Sequence, residues 1–270
     1  MTGALKLMAV LAHPDDESLG AGGVLAKYAA EGIETSLVTA TRGERGWFGD
    51  ERENPGLETL GQIREAELRA AAAALGIGSV DFLNYIDGEL AQAHPAEVVA
   101  KIVGHFRRVK PDVVVTFGPD GSYGHPDHIA ISQLTTAAII EAASPDSPYY
   151  QDLAPHRVAK LYHMAPTRDL LDVYQFVFGD LVMHIDGVER RGAGWPEWQI
   201  STRIDTWGYW RTVWKAVCCH QTQLPAYHKL EGLPEEKHRV LWGCQTYYRA
   251  FSLINGGRTV EHDLFEGLRE

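Results

Sequence analysis

Over its first 143 residues the chain alternates short apolar runs with helix-patterned stretches, and that alternation restricts the fold more than any other feature. Residues 5–12 (LKLMAVLA), 33–41 (IETSLVTAT), 80–83 and 112–117 (DVVVTF) read as strands buried in a sheet. Helix patterns lie between and after them: 17–31, ending near Gly32; 60–75, Ala-rich and capped by Gly76; 96–109, stopped by Pro111; and 126–143. Residues 42–58, rich in Gly, Arg, Glu and Asp, read as a loop. Strand–helix repetition implies an α/β, Rossmann-like fold: a mostly parallel sheet with helices on both faces. Ligands of such sheets sit at the carboxyl ends of strands, near the point where strand order reverses.

Past residue 144 the pattern fades. Residues 144–156 read as a Pro-rich connection, 158–164 as a strand and 206–221 as a helix. Trp195, Trp198, Trp207, Trp210 and Trp214 crowd the stretch between. The expected organisation is one domain over 1–270, with 1–143 as the α/β core and 144–270 as an extension completing a substrate pocket. A chain of 270 residues that is 45% hydrophobic buries a core without disulfides or a structural metal, so a metal here would serve chemistry.

The formal net charge of −11 argues against nucleic acid or anionic membrane as partner, since both call for a basic surface. Cys218, Cys219 and Cys244 are odd in number and two are adjacent, which suggests no disulfide framework and a reducing, cytoplasmic setting. The first apolar run meets charge by Asp15, too soon for a membrane span, and no signal-peptide cleavage pattern follows it. Homo-oligomerisation is left open.

Two clusters carry the chemistry. His13-Pro14-Asp15-Asp16-Glu17 directly follows the first strand, and Tyr123-Gly124-His125-Pro126-Asp127-His128 follows the strand at 112–117; each opens a helix. One Asp at a helix start is an ordinary cap. Two His/Asp clusters at equivalent strand ends exceed what caps require. A catalytic zinc takes three protein ligands from His and carboxylate and keeps one position open. His13, Asp16, His125 and His128 all qualify, and spacing does not choose among them. Four protein ligands would close the site, so one His does something else. Asp15, between His13 and Asp16, could face a water on the ion, whose pKa zinc lowers to about 7.

The pairing of HPDD with YGHPDH resembles the zinc N-deacetylases that include N-acetylglucosaminyl-phosphatidylinositol deacetylase and the bacterial LmbE-like enzymes of mycothiol and bacillithiol synthesis. The resemblance covers most of residues 5–143 and returns near Lys215 to Gln223. It implies an LmbE-like fold and hydrolysis of an N-acyl, chiefly N-acetyl, group from an N-acetylglucosamine-type conjugate. It implies His13, Asp16 and His128 as ligands of one Zn2+, another divalent transition metal being chemically possible. By the same resemblance Asp15 is the general base, Tyr123 polarises the acyl oxygen, His125 is a second acid or electrostatic partner, and Asp127 orients a neighbouring His. Arg42, Glu44, Arg64 and His220 fall where the family's substrate-side polar residues lie.

Plainer readings stand beside these. Arg64 and Glu67, three apart, could pair on an exposed helix face. The Trp cluster reads chiefly as packing, with one or two rings at a pocket mouth. His220 beside Cys218 and Cys219 does not make a second metal site, and His94 and His105 have no assigned role. Gly20-Ala21-Gly22-Gly23 lacks the dinucleotide spacing, which argues against a nicotinamide oxidoreductase. A sugar-binding module that had lost catalysis would lack a ligand or the base, and here all are present. An amidase for thiol conjugates is the near alternative, which the motifs do not separate.

Overall fold

In a computed structural model, which describes residues 4–179, 182–185 and 187–269, the apolar runs form the middle of one seven-stranded sheet in the order β3-β2-β1-β4-β5-β9-β8. Strand β1 (Lys6–Leu11) is parallel to β2 (Glu34–Thr41) on one side and to β4 (Val113–Thr116) on the other. Leu7, Met8, Ala9, Val10 and Leu11 are all fully buried, as expected of a central strand covered on both faces. Strand β3 (Ser79–Tyr85) adds beyond β2, and β5 (Lys160–Met164) beyond β4, both parallel. Strand order therefore reverses between β1 and β4, and that is where both His/Asp clusters emerge.

The helices fall into two groups. Helix α4 (Pro95–Val109) packs on α6 (Pro126–Ala143); α2 (Gly22–Ala30) and α3 (Leu57–Leu75) pack on α8 (Trp210–Val217). Local chemistry marks their ends: Pro95 and Pro126 open α4 and α6, and Gly76, at φ 78°, closes α3. The pattern at 17–31 is not one helix. A single turn, α1 (Asp16–Leu19), stops before α2. A Cβ on Gly20 would stand 2.9 Å from the Asp16 carbonyl oxygen and 3.0 Å from Met164 Sδ. The Gln245 side chain stitches the break, donating to the Gly20 carbonyl (2.8 Å) and accepting from Val24 N (2.7 Å). That partner lies on a strand 220 residues away in sequence (separations of 225 and 221), so local periodicity does not reveal the break.

Beyond residue 144 the chain extends the same sheet. The distorted turn α5 (Gly121–Gly124) precedes α6, and α7 (Arg168–Phe178) and the hairpin β6 (Val182–Ile185) and β7 (Val188–Arg191) follow β5. Strand β9 (Cys244–Ser252) runs antiparallel to β5, and β8 (Thr202–Asp205) antiparallel to β9. Helices α9 (Leu224–Glu231) and α10 (Glu235–Trp242) join α7 and α8 around a second apolar cluster that includes Val177, Val213, Leu230 and Trp242. The aromatic stack Trp207–Trp210–His238–Trp242 packs α8 against α10, with centroid spacings of 5.9, 5.1 and 5.2 Å. Among the described residues no helix is long and apolar enough to cross a membrane.

The C-terminal segment is pinned by Glu261. Its carboxylate accepts from Lys160 Nζ (2.8 Å), Arg249 Nη1 (2.8 Å), Tyr162 Oη (2.7 Å), Thr202 Oγ1 (3.1 Å) and Asn255 Nδ2 (2.7 Å). Burial works against its charge, but these partners, Lys160 first, hold its pKa down to about 2. A depressed acid stabilises the fold above its unfolded pKa, about 4.3, and loses that contribution as pH falls through about 2. Glu261→Gln leaves the fully buried Lys160 ammonium uncompensated and is expected to cost about 3–5 kcal/mol near neutral pH. Denaturant unfolding of both proteins should show the gap narrowing between about pH 4.3 and pH 2; equal stability at pH 7 would refute the assignment.

Candidate metal centre

The turn after β1 and the start of α6 bring their polar groups to one point. His13 Nδ1 lies 3.2 Å from His128 Nε2; Asp16 Oδ1 is 3.4 Å from His128 Nε2, and Asp16 Oδ2 is 3.7 Å from His13 Nδ1. A tetrahedral ion with bonds of about 2.0–2.1 Å has donor–donor edges of about 3.3 Å, so the three groups fit a single zinc-sized cation. The other His13 nitrogen, Nε2, faces Asp127 Oδ2 (3.3 Å) and Asp87 Oδ1 (3.1 Å). A proton on Nε2 shared with these carboxylates leaves the Nδ1 lone pair aimed at the point of convergence. Asp127 is itself fully buried and accepts from Gly88 N (2.7 Å).

The local electrostatics favour positive charge here. Burial opposes charge on His13, but Asp127, Asp87 and Asp16 outweigh it and raise its pKa to about 10. Burial likewise pushes Asp16 up to about 7 against the pull of His13. Asp87 is held down to about 2, burial being overcome by its bond to His13. His128 lies well below the usual imidazole range, through burial and the charge of His13, and is a neutral donor. A divalent cation among such carboxylates supplies the compensation otherwise carried by a proton.

His125 stands beside this triad, its ring 4.8 Å from His13 and 4.6 Å from His128. Its Nδ1 accepts from Asp127 N at 3.2 Å, and burial with the nearby His13 charge lowers its pKa to about 4. Two groups bring one donor atom each within 4.8 Å of one another: His13, His125 and His128, and His13, Asp87 and Asp127. Tyr123 lies over His128 at 5.6 Å between centroids, and burial with the charges of Asp16, Asp15 and Asp87 raises its pKa.

Asp15 has φ 97°, a left-handed backbone that a residue other than Gly rarely adopts. Its Oδ2 accepts from Tyr227 Oη (2.7 Å) and from Arg64 Nη2 (3.1 Å). Behind it, Asp15 N donates to Glu17 Oε2 (2.9 Å), and the fully buried His220 meets Glu17 Oε1 at 2.8 Å. The strained turn is thus tied from both sides and aims the carboxylate into the cavity.

That cavity measures about 690 Å³ and is lined by His13, Asp15, Asp16, Tyr123, His125 and His128, and also by Arg64 and Asp87. Arg42, Glu44 and His220 are not among its lining residues. Arg42 bonds to Glu65 (2.5 Å) and Asn84 (2.8 Å), and Glu44 Oε2 accepts from Asp87 N (3.1 Å). Glu44 thus holds Asp87 and His220 holds Glu17 behind Asp15, while Arg42 pairs with Glu65 and Asn84; none of the three stands in the cavity wall where substrate contacts are expected of them. Nor do Arg64 and Glu67 form an exposed pair. Both are buried, Arg64 donating to the carbonyls of Gly43 and Pro14 (each 2.7 Å) and Glu67 accepting from Thr222 N (2.7 Å). The loop closes directly over Arg64, where a Cβ on Gly43 would stand 2.2 Å from Nη1. Among the described residues no Trp lines the cavity, where one or two rings are expected from the sequence.

Asp87, Tyr227 and Glu17 are the residues sequence reasoning missed. Asp87 follows β3 in an Asp-Gly pair that reads as a plain turn; its signal was its place at a third strand end. Tyr227 carried none.

The chain is similar to known proteins over most of its length. The family model described as PIG-L: GlcNAc-PI de-N-acetylase matches residues 8–139. A 1D-myo-inositol 2-acetamido-2-deoxy-alpha-D-glucopyranoside deacetylase of Thermobifida fusca is 34% identical, covering 93% of each chain. A mycothiol S-conjugate amidase of Streptomyces coelicolor is 30% identical over 100% of this chain and 99% of its own. The solved N,N'-diacetylchitobiose deacetylase of Pyrococcus horikoshii shares the fold, with TM-score 0.69 and 20% identity over 91% of this chain and 84% of that one.

Proposed function

The chain belongs to the PIG-L (GlcNAc-PI de-N-acetylase) family, and from that premise we propose that it is a zinc-dependent amide hydrolase that removes an N-acyl group, acetyl first, from a small N-acetylglucosamine-type conjugate. One observation carries the reading: His13 Nδ1, His128 Nε2 and the Asp16 carboxylate converge at 3.2–3.7 Å in the wall of a cavity that also holds Asp15. His13, Asp16 and His128 hold the ion, and their mixed nitrogen and oxygen set suits Zn2+, with another divalent transition metal as the alternative. When bound, the ion supplies Lewis-acid activation of the attacking water and of the amide carbonyl.

The side chains do the rest. Tyr227 and Arg64 both bond to Oδ2 of Asp15, so Oδ1 takes the proton of the attacking water. Tyr123, kept protonated by its raised pKa, donates to the oxygen that gains charge as the amide becomes tetrahedral. His125, neutral and accepting at Nδ1, carries its proton on Nε2 and stabilises the same charge by donating a hydrogen bond, while Asp15 returns its proton to the departing amine. Asp127 orients His13. Of the substrate-side set, Arg64 lines the cavity and holds Asp15, Glu44 acts through Asp87 and His220 through Glu17, while Arg42 braces Glu65 and Asn84. We take residues 1–270 as one domain, since residues 144–270 complete both the sheet and the cavity. The free cysteines Cys218, Cys219 and Cys244 suit the cytoplasm.

Metal analysis of the purified protein, followed by a free-amine assay over N-acetyl amino sugars, their inositol conjugates and thiol conjugates, tests this reading. Amine release that is abolished by a chelator and restored by zinc is the expected result. No amine from any member of the panel would sink it.

A further inference from the structure

The cavity is chemically lopsided, and its second half is not needed to hold an acetyl group or a metal. On one side of the donor triad stand Asp87, Arg64 and Gln223; on the other the wall is built from Met164, Leu170, Leu171, Tyr174, Val177 and Leu241. Met164, Leu171, Val177 and Leu241 are each at most 6% exposed, so this wall is a buried apolar lining rather than an open face. The polar groups in its wall are already spent on the protein. Gln245 uses its amide on Gly20 and Val24, Thr246 Oγ1 donates to the Ala165 carbonyl (2.6 Å), and Tyr174 Oη donates to the Leu19 carbonyl (3.0 Å). The one charged lining group there, Lys229, is exposed.

Such a wall offers a sugar hydroxyl no partner, and burying one there would carry the full desolvation cost. It rewards an apolar group by removing it from water. At about 690 Å³ the cavity is also in the range that encloses a drug-sized ligand rather than a bare N-acetyl sugar. Resting on the amide-hydrolase reading above, we infer that the preferred substrate carries an alkyl or aryl group within reach of the scissile amide, and that the chamber beneath α7 and α10 receives it. The group can enter from either side of the amide, as an acyl chain longer than acetyl or as an apolar substituent on the sugar.

The test uses the zinc-loaded full chain and two substrate series. One is N-acyl-glucosamines from acetyl through butanoyl to hexanoyl; the other is N-acetylglucosamine glycosides from methyl through butyl to hexyl. In one of the two, kcat/KM is expected to rise roughly fourfold per methylene until the chamber fills. The series that rises identifies which side of the amide bears the group. Val177→Thr, which keeps the volume and adds a hydroxyl, and Leu171→Asn should each cut the ratio of hexyl-series to short-chain kcat/KM tenfold or more; a ratio cancels any loss common to both substrates. Flat or falling rates in both series, with N-acetylglucosamine still hydrolysed, would overturn the chamber and leave the amide-hydrolase reading standing. So would a rise that survives unchanged in both variants. No amine from any member would remove both.

Discussion

Asp15→Asn is expected to keep its full complement of metal and to lose turnover by about 10³-fold, within the span that a positioned acid–base group supplies. The substitution removes only the ability to accept a proton. An amide oxygen can still accept from Tyr227 and Arg64, so the buried guanidinium keeps a partner and the bonds at Oδ2 have a successor. Asn also tolerates left-handed backbone better than most residues, so the φ of 97° brings no new strain. Asp15→Ala would be a poorer probe, because it strands Arg64, which is 3% exposed. The variant's kcat, read together with its zinc content, separates the roles. A near wild-type rate would remove Asp15 as the base. Loss of zinc would make it a ligand.

What the sequence revealed and what it hid follow one physical line. Strands β1, β2 and β4 are visible because central parallel strands are apolar on both faces, and helices α3, α4 and α6 because Gly and Pro mark their ends. Strands β8 and β9 were not anticipated. They lie at the antiparallel side of the sheet, where Thr202–Asp205 is mostly polar, Cys244–Ser252 mixes polar and aromatic residues, and both are only partly buried. The site divides in the same way. His13, Asp16, His125 and His128 stand out as candidates because two His/Asp clusters fall at strand ends, but spacing does not choose among them and the set of three comes from the family resemblance. Asp87 becomes a neighbour of His13 only through strand order, and Tyr227 reaches Asp15 only because α9 folds back across the cavity. The plainer reading of Arg64 as half of an exposed helix-face pair fails because helix periodicity cannot register a loop closing over it, with Gly43 and Gly46 against its guanidinium.

The second large effect concerns the metal itself. His13→Ala and His128→Ala are each expected to abolish zinc retention through dialysis, and activity with it, whereas His125→Ala should retain zinc and lose rate. The distinction tests one donor set against another, since His125 shares a 4.8 Å neighbourhood with both of the others. Two observations favour Asp16 over His125 as the third ligand. Its carboxylate lies 3.4 Å (Oδ1) from His128 Nε2 and 3.7 Å (Oδ2) from His13 Nδ1, and it carries the negative charge that offsets a divalent ion. His125 has Nδ1 engaged by Asp127 N and is free to present only Nε2. Asp127→Asn supplies the calibration. It touches no ion but changes the partner of His13 Nε2, and such supporting groups typically cost 10–100-fold in metal affinity. Zinc titration against a competing chelator should therefore rank the variants: wild type and His125→Ala tightest, Asp127→Asn weaker by about 10–100-fold, His13→Ala and His128→Ala weakest. Zinc lost from His125→Ala but kept by Asp16→Asn would transfer the third ligand to the histidine. Zinc kept at the wild-type level by either His13→Ala or His128→Ala would mean that the two strand ends do not share an ion, and the catalytic assignment built on their convergence would go with it.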